Sequence, residues 1–180
     1  MTGTALSTEL LTEAFGRIRE IVHSAVEGAS IELLTFQPDP QANSVAWLVW
    51  HLTRVQDDHV ADLAGGEQLW DADGWVDRFH LPFDPGETGY GQNAADAAAV
   101  RADAGLLGDY YDAVHARTSD YLRTLTEGEF ARVVDASWDP PVTLAVRLVS
   151  VLSDDLLHAG QASYVRGLAE RARTGRTKKS

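Results

Sequence analysis

The chain has 180 residues, 44% of them hydrophobic, and a formal net charge of −12. That length suits one domain with a substantial core, and a field of that sign repels phosphate backbones, which argues against nonspecific nucleic-acid binding. There is no cysteine, so disulfides and cysteine nucleophiles are excluded and any bound metal takes nitrogen and oxygen ligands. The opening MTGTALSTELL has no basic segment leading into an apolar one, so no secretory signal is expected. No apolar run approaches the roughly 20 residues that span a bilayer. The expectation is a cytoplasmic protein with neither nucleic-acid nor membrane partner.

From Ser7 to Glu27, Leu10, Leu11, Phe15, Ile18, Ile21, Val22 and Val26 recur at spacings of three and four, the helical period. Ser7 or Thr8 can cap its start and Gly28 can stop it. His23 reads as a surface or boundary histidine. Pro38-Asp39-Pro40 then breaks any helix, because proline lacks the backbone donor and restricts the residue before it. Asn43 or Ser44 caps a second helix that runs to Leu63. On it Trp47, His51, Val55 and Asp58 share one stripe, Leu48, Leu52 and Leu63 widen the apolar side, and Arg54, Gln56 and Asp57 suit an exposed side.

Gly65-Gly66 ends that helix, and no period survives from Glu67 to Asn93, a stretch that carries Trp70, Trp75 and His80 among glycines and prolines. A connection this long and aromatic reads either as a loop packed over one end of a bundle or as the lid or wall of a pocket. Ala94 to Leu125 returns to the helical period through Ala97, Val100, Ala104, Leu107, Tyr111, Val114, Thr118 and Tyr121. Gly105 and Gly108 weaken it by roughly 1 kcal/mol each relative to alanine. After Trp138-Asp139-Pro140-Pro141, a last helix spans about Val142 to Arg173, with Leu144, Leu148, Val151, Leu152, Leu156 and Val165 on or near its inner side. The fold class expected is all-α: a four-helix bundle over residues 1–173, with a long 66–93 crossover connection between the second and third helices. The polar, basic tail over 174–180 is expected to be disordered.

Asp154 and His158 are four apart on the last helix, so they stand one turn apart on one face; Asp155, three before His158, is the competing neighbour. His51 comes from another helix. Two ligands one turn apart plus a third across a bundle is a common way to hold a divalent cation. His51 and Asp154 also lie among Trp, Leu and Val, where an unpaired polar group costs several kcal/mol. Metal coordination would satisfy them, and so would a hydrogen-bonded buried His–Asp pair. Asp58, on the His51 stripe but about 10 Å further along the axis at 1.5 Å per residue, suits a pocket or supporting role. His59 is rotated off that stripe and reads as a non-functional residue, and Trp47 and Trp50 read as core.

The motifs WLVWHL around His51 and DDLLHAGQASYVRG from Asp154 resemble the second-helix and fourth-helix histidine motifs of the DinB-like superfamily of four-helix metalloproteins. The resemblance covers the chain apart from its tail. Many members have His-x-x-x-His in the fourth helix, where this chain has Asp154 followed by His158. Carried across, the motif implies His51, Asp154 and His158 as ligands of a divalent metal (zinc, nickel, iron or manganese), in a set harder and more anionic than three histidines. It implies a metal-dependent thiol S-transferase or isomerase, with a low-molecular-weight thiol (mycothiol, bacillithiol or glutathione) activated for attack on an electrophile; abundant arginine, alanine and aspartate hint at a high-GC bacterium, which favours mycothiol over bacillithiol. Gln161 and Arg166 are the candidates to meet the thiol cofactor, with pairing to a surface carboxylate the commoner alternative for Arg166, and the resemblance implies a homodimer as well. The alternative is a noncatalytic helical binding or stress-response protein with a vestigial metal site.

Overall fold

The computed structural model describes residues 6–177. Four long helices form the bundle: α1 (Leu6–Val26), α3 (Val45–Ala64), α7 (Ala104–Thr124) and α8 (Leu144–Thr177). Short helices α2 (Ile31–Leu34), α4 (Leu69–Ala72), α5 (Trp75–Phe79) and α6 (Ala94–Ala99) lie in the connections. A 3-10 turn (Glu127–Ala131) and a two-stranded antiparallel ribbon, β1 (Val133–Asp135) with β2 (Val142–Thr143), lead into α8. The all-α, four-helix architecture expected from the sequence is the one observed. None of the described helices is long and apolar enough to cross a membrane.

α1 and α3 each pack between α7 and α8, so they stand diagonally opposed. Side-chain bonds set the directions. Ser7 at the start of α1 donates to Glu127 beyond the end of α7 (2.7 Å), and His23 near the end of α1 pairs with Asp112 near the start of α7 (2.8 Å), so these two helices run antiparallel. Arg166 late in α8 reaches the Ser24 and Glu27 carbonyls at the end of α1, so α8 runs with α1. His51 lies against His158 and Asp154, while Val55 and His59 further along α3 share a cavity wall with Ser150 and Val151 earlier in α8, so α3 runs against α8. α3 and α7 are therefore parallel, and the chain needs a long crossover to join them.

Each long helix begins and ends where its chemistry dictates. Ser44 caps α3 by accepting from Trp47 N, and Asp103 caps α7 by accepting from Leu106 N. Gly65, at φ 65°, closes α3 in the left-handed conformation that glycine adopts without strain. Phe15, Ile18 and Val22 of α1, Leu48 and Leu52 of α3, Leu107, Tyr110 and Tyr111 of α7, and Leu144, Leu148 and Val151 of α8 are essentially fully buried and form the core.

Four expectations need correction. The stretch 94–125 is not one helix: α6 ends at Ala99, Val100 is extended, and Asp103 caps a new helix. Arg54, Gln56 and Asp57 are buried rather than exposed: the 66–93 connection folds over Arg54 and Asp57, while Gln56 faces α7 and donates to Thr118 Oγ1 (2.7 Å). Asp57 accepts the Leu69 and Trp70 N–H groups (3.0 and 2.8 Å) and so holds the first turn of α4, and it accepts the Tyr110 hydroxyl (2.9 Å) as well. Leu156, expected on the inner side of α8, is half-exposed. α8 also continues past Arg173, the end expected for it, to Thr177; residues 178–180 lie outside the described ones.

Candidate metal centre

His51, Asp154 and His158 converge where α3 crosses α8, each offering a ligand atom, and these atoms all lie within 4.8 Å of one another. They are the one such group of three histidines or carboxylates among the described residues. The rings of His51 and His158 meet edge to face at 4.8 Å. His158 Nε2 lies 3.5 Å from Asp154 Oδ1.

Each imidazole is oriented from its far nitrogen. His51 Nδ1 lies 2.6 Å from the Thr88 carbonyl. A carbonyl can only accept, so Nδ1 carries the proton and Nε2 keeps its lone pair. His158 Nδ1 lies 3.0 Å from Gln161 Oε1, which sets the same tautomer. Such outer hydrogen bonds fix the ring orientation and raise the basicity of the ligating nitrogen. Asp154 Oδ2 is buried and has no hydrogen-bond partner. A buried carboxylate oxygen left unpaired is costly, and a cation between Asp154 and the two Nε2 atoms would satisfy it. The residues present therefore fit a divalent metal, with two neutral imidazoles and one carboxylate as donors.

The proton affinities of the three groups are interlocked. Burial holds the pKa of His51 below its ordinary value, against the Thr88 hydrogen bond, and the proximity of His158 adds to the depression. Burial pushes Asp154 upward, but the hydrogen bond and charge of His158 outweigh it, and the carboxyl titrates below its ordinary value. His158 is raised, chiefly by Asp154, against its own burial. Asp154 and His158 thus favour each other's charged forms, and a cation at His158 Nε2 would compete with its proton.

The crossover builds the wall behind His51. Gly89 sits at φ 96°, and a Cβ there would stand 2.7 Å from His51 Nδ1 and 3.1 Å from both the Trp47 and Trp50 rings. Only glycine lets the backbone come this close. Trp47 stacks on His51 at 4.5 Å and donates from Nε1 to Gln92 Oε1 (2.9 Å), and Gln92 donates on to Glu87 Oε2 (2.6 Å). Arg54 lies over Trp70 and donates to Gln68 Oε1 (2.6 Å) and the Glu87 carbonyl (3.4 Å), while Gln68 donates to Asp58 Oδ1 (2.7 Å). Of the two readings of the 66–93 stretch, pocket wall or packed loop, the structure combines both.

A cavity of about 380 Å³ opens beside the centre. His51 and Asp154 form one end, Asp58 and His59 continue it along α3, and Thr88 and Tyr90 close it from the crossover. His59 is thus part of the cavity wall rather than an uninvolved residue. Asp155, the alternative to Asp154, is fully buried with both carboxyl oxygens unpartnered, and burial together with Asp154 raises its pKa well above the ordinary value. Gln161 stands at His158, whereas Arg166 stands apart from the cavity, its guanidinium bonded to Glu170 and to the α1 carbonyls. The sequence reading missed Thr88 and Gly89. The Gly86, Gly89, Gly91 run was the signal for a close backbone approach.

The fold and the site define a class: a four-helix bundle with a candidate His–Asp–His metal centre between its second and fourth long helices. A family model described as mycothiol-S-transferase matches residues 10–170, and the chain belongs to this MST family of DinB-like proteins. Among solved structures it is similar to the "conserved protein of locus from Enterococcus faecalis", at 34% identity and a TM-score of 0.85 over 90% of this chain and 96% of that one. No curated protein matches it.

Proposed function

We propose that the protein is a divalent-metal-dependent thiol S-transferase that uses mycothiol. The observation that carries this reading is the convergence of His51, Asp154 and His158, each offering one ligand atom within 4.8 Å of the others, with His51 and Asp154 also lining a cavity of ligand size, about 380 Å³. A divalent metal held there supplies Lewis acidity that lowers the pKa of a thiol, so that the thiolate is available at neutral pH. The chain contributes no cysteine, so the nucleophilic sulfur comes from the small-molecule thiol. Its proton is released to solvent, and the thiolate sulfur bonds to the electrophilic carbon of the second substrate as the bond from that carbon to its leaving group breaks and the leaving group departs with the electron pair.

His51 and His158 offer Nε2, and Asp154 offers a carboxylate oxygen. Thr88 and Gln161 hold the two imidazoles in the required tautomer. Trp47, stacked on His51, keeps bulk water from one side of that ring. The set suits zinc, nickel, iron or manganese. We assign the protein to the cytoplasm, where small thiols are kept reduced. We further propose a homodimer, because α8 exposes Val149, Leu156, Leu157 and Tyr164 on its outer side, each more than half accessible.

Elemental analysis of the freshly purified, untagged protein tests the centre, with His158→Ala as control. About one metal per chain, lost in the variant, together with mycothiol-dependent turnover of a model electrophile, is the expected result. No metal as purified, and none taken up from added zinc, nickel, manganese or ferrous iron, would leave a hydrogen-bonded His–Asp core and favour a noncatalytic binding protein.

A further inference from the structure

The cavity extends well beyond the three candidate ligands, and its far part has a consistent chemistry. Asp58 projects its carboxylate there, two turns along α3 from His51, with one oxygen held by Gln68 and a side chain 43% accessible. Beside it stand the His59 imidazole and the Ser150 hydroxyl, which already donates to the Val146 carbonyl and so turns lone pairs outward. Neither lysine nor arginine lines the cavity. Arg147, whose charge reaches His59, is paired with Asp135 at 3.1 Å. Burial and the charge of Arg147 lower the pKa of His59, so the imidazole adds no compensating positive charge at neutral pH. With a cation held at Asp154, Asp58 is the carboxylate left to set the field in the far part of the cavity.

At the mouth stands Tyr90, 93% accessible although it borders the cavity. It sits between Gly89 at φ 96° and Gly91 at φ 74°. An aromatic ring left in solvent on a glycine-flanked turn, next to carboxylate acceptors, is the pairing that binds hydroxyl-rich rings, with acceptors for the hydroxyls and a flat apolar face for the ring carbons.

We propose that Asp58 and Tyr90 are the specificity-determining residues of the cavity: Asp58 accepts hydrogen bonds from the polyol part of a neutral thiol and repels thiols bearing carboxylates, and Tyr90 packs on the polyol ring. This rests on the thiol-transferase reading for its substrate, but the subsite is defined by residues that ligate nothing. It separates the small thiols by charge. Mycothiol carries a neutral aminosugar–cyclitol arm, whereas glutathione and bacillithiol carry additional carboxylates that the Asp58 carboxylate in the cavity wall repels.

The test has two arms. In turnover, Asp58→Asn is compared with the unaltered protein on mycothiol, on N-acetylcysteamine (neutral, without the polyol) and on glutathione. Asparagine preserves an acceptor for Gln68, and the site is partly exposed, so the fold is retained; circular dichroism checks this. KM for mycothiol rises about tenfold, as expected for a lost charged acceptor; KM for glutathione falls, and N-acetylcysteamine is unaffected. An equal change on all three thiols would overturn the assignment.

In binding, N-acetylglucosaminyl-inositol, the polyol arm without sulfur, is titrated into the purified protein and followed by NMR. It binds, and both Asp58→Asn and Tyr90→Ala weaken it severalfold. Absence of binding, or unchanged affinity in both variants, refutes the subsite while leaving the metal centre untouched. Glycoside binding without any thiol turnover would instead refute the transferase reading and preserve the subsite.

Discussion

His51 donates from Nδ1 to the carbonyl of Thr88 across 2.6 Å, and among the bonds that tie α3 to the crossover covering it this one is made by a candidate metal ligand. The carbonyl is available because the next residue, Gly89, lets the backbone lie flat against the His51, Trp47 and Trp50 rings. The histidine's tautomer and the path of a loop 37 residues further on are thus one structural decision.

Substituting Gly89 separates the two. Gly89→Ala places a Cβ 2.7 Å from His51 Nδ1 at a positive φ, so either the loop lifts or the ring turns. We expect a loss of about 2 kcal/mol of stability and a fall in metal affinity of about 10- to 100-fold, the usual effect of disturbing a partner behind a ligating histidine. Chelator-competition titration and thermal melts of the metal-free protein measure the two effects separately. An unchanged affinity would mean that the Thr88 bond does not orient His51.

The proton linkage at the centre gives opposite pH dependences with and without metal. His158, raised above its ordinary 6.5, contributes stability that is fully present below that value and is lost as pH rises through its folded pKa. Asp154, depressed below 3.8, contributes stability that is present above that value and is lost as pH falls through its folded pKa. The pair therefore supports the metal-free fold best between the two ordinary values. Metal must displace the His158 proton, so affinity weakens as pH falls through the raised pKa, with one proton released per ion bound. Calorimetric metal titrations in buffers of different ionisation enthalpy count that proton. A release of zero in the range where His158 is protonated would contradict the assignment of its Nε2 as a ligand.

The helical parts of this architecture were readable because they rest on local period. Leu10 to Val26 in α1 and Leu144 to Val165 in α8 repeat every three to four residues, and Gly28 and Gly65 stop helices by backbone chemistry alone. The metal candidates were readable for a similar reason, since Asp154 and His158 one turn apart share a face wherever the helix goes. What could not be read depends on contacts distant in sequence. Arg54, Gln56 and Asp57 look like a solvent face until Trp70 and the 66–93 stretch are laid over Arg54 and Asp57 and Thr118 of α7 is set against Gln56. Thr88 acts through a main-chain carbonyl, which every residue possesses and no side chain advertises. Val100 fits the helical period but is extended, because the helix capped by Asp103 fixes a new start.

Asp155 offers a test of the core beneath the centre. It is fully buried, both its oxygens lack partners, and burial and Asp154 raise its pKa. A carboxyl whose folded pKa exceeds its unfolded one makes the native state bind the extra proton, so stability falls as pH rises from about 4 towards the folded pKa. Asp155→Asn removes that dependence. The variant is expected to match the unaltered protein near pH 4 and to exceed it by about 1 kcal/mol or more at pH 7, as read from urea melts at the two pH values. Equal stability at pH 7 would show that Asp155 is ionised and held by a partner, such as an internal water.

Arg166 decides between a role in cofactor binding and one in holding the bundle. The sequence resemblance offered it to an anionic cofactor group, yet its guanidinium bonds the Ser24 and Glu27 carbonyls, where α1 ends, and Glu170 on its own helix. Orphan carbonyls at a helix terminus are a favourable seat for a cation. Arg166→Ala is expected to cost about 1 kcal/mol of stability, to lower the melting temperature by a few degrees, and to leave the KM for thiol unchanged. A tenfold rise in that KM at full folding would instead make Arg166 a cofactor ligand and would require α8 to present it to the cavity in the bound state.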